Sequence, residues 1–227
     1  MEIKLDAIEA RIIGVLIEKQ MATPDYYPLT LNALVNACNQ KTNRDPVMAL
    51  DEGDVEEALT RLRNRRLVWQ VKTHGSRALK YEHNMKDVAD FSDRELGVLC
   101  VLLLRGAQTA GELRSRTTRL AEFHGLAAVE HTLHKLINHE KGLFVHRIDR
   151  QPGQKEDRYS HLFCEIQAEP PIRGVDISET EPQTPPVRSE IAKVDRLENR
   201  VNNLNRELAD LKARFEALER QIEQGQS

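Results

Sequence analysis

Two matching segments, VEEALTRL at residues 55–62 and VEHTLHKL at residues 129–136, decide the fold of this chain. Both place apolar residues at the spacing of an amphipathic helix. The second segment begins 74 positions after the first, which is longer than the repeats of solenoid proteins. We therefore predict a duplicated domain, with this helix present in each copy.

The sequence around residues 55–62 predicts three helices and a hairpin. Residues 5–20 follow helical spacing, Thr30 is positioned to cap a second helix, and Asp54 with Glu57 resembles a capping box for the third. After Leu67 the apolar period changes from 3.6 to 2, which predicts two strands of a β-hairpin up to residue 83.

The second copy repeats this order. Ser92 with Glu95 and Thr109 with Glu112 form capping boxes, a third helix runs from Leu126 to residue 139, and strands are expected at about 143–149 and 158–163. Three helices closed by a hairpin are the winged variant of the helix-turn-helix. The predicted fold class is mainly α with small β-hairpin wings (α+β): two tandem winged-helix domains, residues 1–88 and 89–166, followed by a C-terminal coiled-coil helix.

The segment LGVLCVLLL, Leu96 to Leu104, is apolar nearly all round. A helix without a polar face is covered on more than one side. It either lies deep in the core of its own domain, or it also packs against the other domain or a second subunit.

The C-terminal part of the chain changes character twice. Residues 167–189 are rich in Pro, Ser, Thr and Glu, which predicts a flexible linker. Residues 190–223 carry an apolar heptad pattern that predicts a coiled-coil helix and a homodimer, although a lone helix folded back on its own domain is the alternative. The candidate dimerisation residues are Val194, Leu197, Val201, Leu204, Leu208, Leu211, Phe215 and Leu218.

Several classes of protein are disfavoured. No signal peptide is visible, the longest apolar run is too short to span a bilayer, and three isolated cysteines fit reduced thiols, so we expect a cytoplasmic protein without membrane contact. The common nucleotide-binding, hydrolase and metalloprotease motifs are absent. His131 and His134 share a helical face, but a solvated face explains them as well as a metal site does. We therefore expect no enzyme activity, no metal and no cofactor.

The nucleic-acid interpretation depends on where the cations lie, because basic and acidic residues balance in both domains (13 of each in residues 1–88 and 11 of each in 89–166). Cations at helix ends and on wings can contact phosphates. The candidates are Arg61, Arg63, Arg65, Arg66, Lys72, Arg77, Lys80, Arg114, Arg116, Arg119, Arg147, Arg150, Lys155 and Arg158. An ordinary solvated surface is the alternative, and Asp54, Glu56 and Glu57 at the start of the first recognition helix argue against base reading.

A polar segment, NQKTNRDP at residues 39–46, is a second candidate binding site. It offers Gln40, Lys41, Asn43 and Arg44 as ligand-binding side chains. Local capping and turn formation explain the same composition.

Residues 9–48, EARIIGVLIEKQMATPDYYPLTLNALVNACNQKTNRDPVM, resemble the opening segment of the YceH family of uncharacterised bacterial proteins. The resemblance covers roughly residues 4–165 and includes VEEALTRLRNRRLVW (55–69) and GSRALKYEHN (75–84). It implies tandem winged-helix domains in a cytosolic protein and implies no activity or catalytic residue.

Two functions remain open on the sequence. The chain is either a nucleic-acid-binding, regulator-like protein that contacts double-stranded DNA and dimerises through its heptads, or a scaffold that docks another protein without nucleic acid. A fold alone does not decide between them.

Overall fold

A computed structural model of the chain describes residues 3–72, 78–150, 154 and 156–164. The predicted linker and heptad helix, including every candidate dimerisation residue, lie outside the described residues. The architecture is α+β, with helices and two small antiparallel sheets, as the sequence predicts. Among the described residues, no helix is long and apolar enough to cross a membrane.

The first half of the molecule, residues 3–89, contains four α-helices and three strands. A short 3-10 helix at Pro24–Tyr26 interrupts the connection after the first of them. In chain order the elements are α1 (Ala7–Ala22), β1 (Leu29–Thr30), α2 (Leu31–Cys38), α3 (Glu52–Asn64), β2 (Val68–Lys72), β3 (Leu79–His83) and α4 (Met85–Ala89).

The second half, residues 91–164, repeats the order of the first as far as the structure describes it, which is up to the end of the hairpin. Its elements are α5 (Asp93–Arg105), β4 (Gln108–Thr109), α6 (Ala110–Arg116), α7 (Leu126–Ile137), β5 (Val145–Ile148) and β6 (Arg158–His161). The strand order β4-β6-β5 matches β1-β3-β2 of the first half. The duplication predicted from residues 55–62 and 129–136 therefore extends to the sheets.

The helix starts follow the capping signals in the sequence, with one correction. Ser92 and Thr109 form the expected capping boxes with residues three positions later, and Thr30 caps α2. The expectation that Asp54 caps the third helix is wrong, because Asp51 is the cap and Asp54 closes the box from the N3 position. The helix therefore begins three residues earlier, with two acidic residues in its first turn.

Helices α1 and α5 pack against each other and join the two halves. All residues from Leu96 to Leu104 are buried, and the thiol of Cys100 donates to the carbonyl of Gly14 over 3.4 Å. A Cβ on Gly14 would lie 2.8 Å from Leu104 Cδ2, so the glycine permits this close crossing. The apolar helix is thus covered by the other half of the same chain.

Candidate nucleic-acid interface

Two of the predicted cations, Arg61 in the last turn of α3 and Arg65 at its C-cap, are already paired within the protein. Arg61 binds Asp6 (2.7 Å), Glu9 (3.2 Å) and Glu57 (2.9 Å). Arg65 binds the second carboxylate oxygen of Glu9 at 3.2 Å and the carbonyl of Lys4. Partial burial alone would lower the pKa of Arg61, but the hydrogen bond to Asp6 and the charge of Glu9 raise it. These arginines fix α3 to the start of α1, so phosphate binding there would have to replace existing ion pairs.

The other cations of the first half lie at the surface. Arg63, Arg66 and Lys72 are exposed and Lys80 is half-buried, and within the described ranges none of the four forms an ion pair. Arg77 lies outside the described residues. Among the predicted cations that the structure describes in the first half, these four are the ones left for a ligand.

The start of α3 is acidic, as its sequence suggested. Asp51 and Asp54 cap each other's backbone N–H groups, and Glu52, Glu56 and Glu57 are exposed next to them. Carboxylates stabilise the positive end of the helix dipole. They also place negative charge where a recognition helix would meet phosphates.

In the second half, three of the predicted arginines have carboxylate partners. Arg116 lies 3.3 Å and Arg158 lies 3.6 Å from Glu112. Arg147 lies 2.5 Å from Asp157, and it is the most exposed of the three.

The other predicted cations of the second half that the structure describes are exposed to solvent. Arg114, Arg119 and Arg150 are exposed, and no ion pair is formed by them in the described part of the chain. Lys155 lies outside the described residues. Arg114 lines an open groove of about 570 Å³ between α6 and α7, together with Ser115, Thr118, Phe123 and Leu126.

Helix α7 begins differently from α3. Its cap is Gly125, with φ +95° and no side-chain hydrogen bond, and its first turn contains no acidic residue. The first N–H groups of α7 are therefore not covered by a carboxylate. Leu126, at the first position of the helix, is 42% exposed beside the groove.

The polar segment at residues 39–46 is held from within by arginines. Arg44 is buried and binds both carboxylate oxygens of Glu18, at 3.1 and 2.7 Å, as well as the carbonyl of Ala37 and the side chain of Gln40. Burial alone would raise the pKa of Glu18, but the hydrogen bonds from Arg44 lower it. The donors of Arg44 are used inside the fold, and Gln40 accepts from one of them. Of the four candidate side chains in this segment, only Lys41 and Asn43 are exposed.

Arg11 is a residue whose role the sequence reasoning missed. It is 1% exposed within α1, and it donates to the carbonyls of Cys38 (3.0 Å) and Pro46 (2.6 Å). A signal was present, because a cation at this point interrupts the apolar run of residues 8–17. Such a cation on a buried helical face needs acceptors from another part of the fold.

Arg105 is the second missed residue. It ends α5, and its guanidinium donates to the side-chain oxygen of Asn43 at 2.9 Å. Beside it, the backbone N–H of Asp45 donates to the carbonyl of Leu104 at 2.8 Å. The polar segment of the first half therefore lies against the end of α5.

Other possible site chemistry is limited in the described residues. No group of three or more His, Cys, Asp or Glu side chains there is arranged to hold a metal ion. His131 and His134 are both exposed on α7. Cys38 and Cys100 are buried free thiols.

Comparison with known proteins identifies relatives along nearly the whole length. A family model described as "Protein of unknown function, DUF480" matches residues 5–154. A UPF0502 protein of Vibrio parahaemolyticus is 46% identical over 222 residues, covering 96% of this chain and 99% of the relative. The UPF0502 protein YceH of Escherichia fergusonii is 46% identical over 225 residues, covering 96% of this chain and 97% of that protein. A UPF0502 protein of Vibrio campbellii is 52% identical over 169 residues, covering 72% and 77%.

Proposed function

The chain belongs to the DUF480 family of proteins of unknown function, the family of YceH, and we propose that it is a non-enzymatic winged-helix protein that binds double-stranded DNA through its second half. In this proposal the protein is cytoplasmic and regulator-like, and it self-associates through the heptads of residues 190–223. The alternative is a scaffold that docks another protein without nucleic acid.

The order of elements supports the winged-helix assignment. Each half has a helix, a short strand, two further helices and a hairpin, and the short strand pairs with the second strand of the hairpin. Thr30 lies opposite Lys80 in the first sheet, and Thr109 lies opposite Arg158 in the second. A helix pair followed by a β-hairpin is the layout that presents one helix and one wing to a duplex.

The contrast between the starts of α3 and α7 carries the proposal. Asp51, Glu52 and Asp54 would repel the phosphates that flank a groove, whereas α7 has no acid in its first turn. Arg114 on the neighbouring helix α6, and Arg119 three residues after its end, are exposed and form no ion pair with the residues that the structure describes. The second half is therefore better suited to a polyanion than the first.

A specific observation favours the alternative. The groove between α6 and α7 is lined by the exposed Leu126 and the half-buried Phe123, and Glu122 contributes negative charge to its rim. An apolar floor with a mixed rim is also typical of a site for a peptide or helix.

The test compares two matched sets of exposed cations that the fold does not use. Fluorescence anisotropy of a labelled random duplex would be measured for the wild type, for Arg114→Ala/Arg119→Ala/Arg150→Ala, and for Arg63→Ala/Arg66→Ala/Lys72→Ala. We expect duplex affinity that falls with salt in the wild type. Each lost phosphate contact should reduce the salt slope by about 0.9 in the second-half variant, with little change in the first-half variant.

Three outcomes contradict the proposal. Absence of duplex binding at low salt, or equal losses in both variants, removes the assignment to the second half. The scaffold is supported instead if the wild type binds no duplex but captures a protein that stays bound after nuclease treatment, and the Leu126→Glu variant no longer captures that protein.

A further inference from the structure

Helix α7 is the helix that the proposed function brings to a duplex, so its exposed side chains decide which DNA it fits. Val129, Leu133 and Leu136 face the core. A recognition helix contacts bases mainly through side chains in its first turns. The exposed residues of α7 are, in order, Leu126, Ala127, Glu130, His131, His134 and Lys135.

The first turn of α7 presents apolar side chains to solvent. Leu126 and Ala127 are exposed, and the base contact open to such side chains is with a thymine methyl group. The one hydroxyl of the helix, that of Thr132, belongs to a residue only 4% exposed and donates to the carbonyl of Ala128 at 2.8 Å. Arginine, lysine, asparagine and glutamine make the common bidentate contacts with base edges. In α7, all of which the structure describes, the first of these is Lys135 in the last turn.

The second turn of α7 begins with a negative charge. Glu130 is exposed, and no cation among the described residues pairs with it. A carboxylate can accept from the amino group of cytosine, but the phosphates on both sides of a groove repel it. Its neighbour His131 carries an imidazole, which cannot make the bidentate contact to one base that arginine or asparagine makes.

The cations that are left for DNA surround α7 rather than lie in its first turns. Arg114 lines the groove beside Leu126, Arg119 follows α6, and Arg150 follows β5 on the wing. All three are exposed and form no ion pair with the residues that the structure describes. Arginines on the flanks of a docked helix contact phosphates, which position a protein on DNA but carry no sequence information.

We propose that the second half binds the sugar-phosphate backbone of duplex DNA without preference for sequence. This binding mode rests on the proposed function and specifies its ligand, which is any B-form duplex long enough to reach the three arginines. Phosphate contacts alone give the dissociation constants of non-specific binding, about 1–100 µM at physiological salt. Three such contacts give a slope of about −3 for the logarithm of the binding constant against the logarithm of the salt concentration.

The first experiment compares sequences. Three unlabelled duplexes of equal length, one rich in A·T, one rich in G·C and one mixed, compete with the labelled random duplex for the wild-type protein at one salt concentration. Duplexes selected repeatedly from a random pool are also sequenced. We expect the three competitors to agree within about threefold, and we expect no enriched motif. A preference above about tenfold, or an enriched motif, overturns the proposal.

A second experiment tests Glu130 with two variants that keep side-chain size. Glu130→Gln should raise the affinity for all three duplexes by the same factor, roughly two- to fivefold, because one negative charge is removed from the side of α7 that faces the phosphates. Glu140→Gln is the matched control, since Glu140 is exposed beyond the other end of α7, and it should change affinity less. A lower affinity of Glu130→Gln, or a gain limited to one duplex, would show that Glu130 contacts a base and would contradict the proposal.

Failure of this binding mode and failure of the DNA proposal give different results. A wild type that binds none of the duplexes at low salt refutes DNA binding itself, and backbone binding with it. A wild type that binds duplex but selects a motif leaves DNA binding standing and refutes only its independence of sequence. A dissociation constant below about 0.1 µM at physiological salt also contradicts the proposal, because such affinity needs more than three phosphate contacts.

Discussion

His83 and His161 occupy the same position in their respective sheets. His83 lies opposite Val68 at the end of β3, and His161 lies opposite Val145 at the end of β6. Burial lowers the pKa of each imidazole to about 4, with the charge of Lys86 adding to the effect at His83 and that of His146 adding to it at His161. Each half thus carries at this position a histidine with a lowered pKa, which is buried at His83 and half-buried at His161.

We predict that these two histidines make the free energy of unfolding decrease as the pH is lowered. Between pH 6.5 and about 4 the unfolded chain binds protons that the folded chain does not, so each histidine lowers the free energy of unfolding as the pH falls. The slope is at most about 1.4 kcal/mol per pH unit for each residue. Urea midpoints from pH 7 to 4.5 should depend less steeply on pH in His83→Gln and His161→Gln, and least in the double variant. A double variant with the wild-type slope would contradict this origin.

We predict that Arg61 contributes to folding and that its neighbour Arg63 does not. Glu9 is 3% exposed, and its two oxygens bind Arg61 and Arg65, so removing both arginines leaves a buried carboxylate without a cation. Arg61→Ala should cost about 1–2 kcal/mol, because Arg65 remains. Arg61→Ala/Arg65→Ala should cost about 3 kcal/mol. Arg63→Ala on the same helix should change stability by less than about 0.5 kcal/mol.

Urea unfolding followed by the emission of Trp69, the single tryptophan of the chain, measures these differences. Equal effects of Arg61→Ala and Arg63→Ala would mean that the ion pairs with Asp6 and Glu9 do not form in solution. The same comparison shows whether a loss of DNA binding in an Arg61 variant reflects a lost contact or a weakened fold.

The sequence predicts the local features of the fold better than its long-range contacts. A capping box needs two residues three positions apart, so Ser92 with Glu95 could be read directly. The sequence places the start of α3 three residues too late, because Asp54 fits both the N-cap and the N3 position of a capping box. The strands β1 and β4 have two residues each, too few to establish a period.

The candidate site depended on contacts between distant residues, which local patterns do not contain. From its place in the sequence, Arg61 is expected to be an unpaired surface cation. In the fold it pairs with Asp6, which lies 55 positions away in the chain. Its position in a polar loop predicts that Arg44 is exposed. Instead it is buried and binds Glu18, which lies 26 positions away. A cation becomes available to a ligand only when the fold leaves it without an acid, and that depends on tertiary structure.

We predict that Gly14→Ala destabilises the junction of α1 and α5. The new Cβ would lie 2.8 Å from Leu104 Cδ2 and 3.1 Å from Leu103 Cβ, so both leucines must shift in a packed core. The expected loss is about 1–3 kcal/mol. Gly111→Ala in α6 is the matched control, because its nearest neighbours are 3.8 Å away and alanine favours a helix. A Gly14→Ala protein as stable as the control variant would show that the helices separate easily.

We predict that one thiol at most reacts in the native protein at pH 8. Burial raises the pKa of Cys38 to about 12 and raises that of Cys100 further, so neither forms the reactive thiolate while the fold is intact. Cys164 is half-buried beside Asp6, and burial followed by the charges of Asp6 and Glu9 raises its pKa as well. Absorbance from a chromogenic disulfide reagent should therefore report slow reaction of Cys164 in the native protein, and reaction of all three thiols in denaturant. The native signal should disappear in Cys164→Ser. If Cys38 or Cys100 reacted as fast as Cys164, the core around α1 and α5 would have to open on the timescale of labelling, which is inconsistent with the tight packing at Gly14.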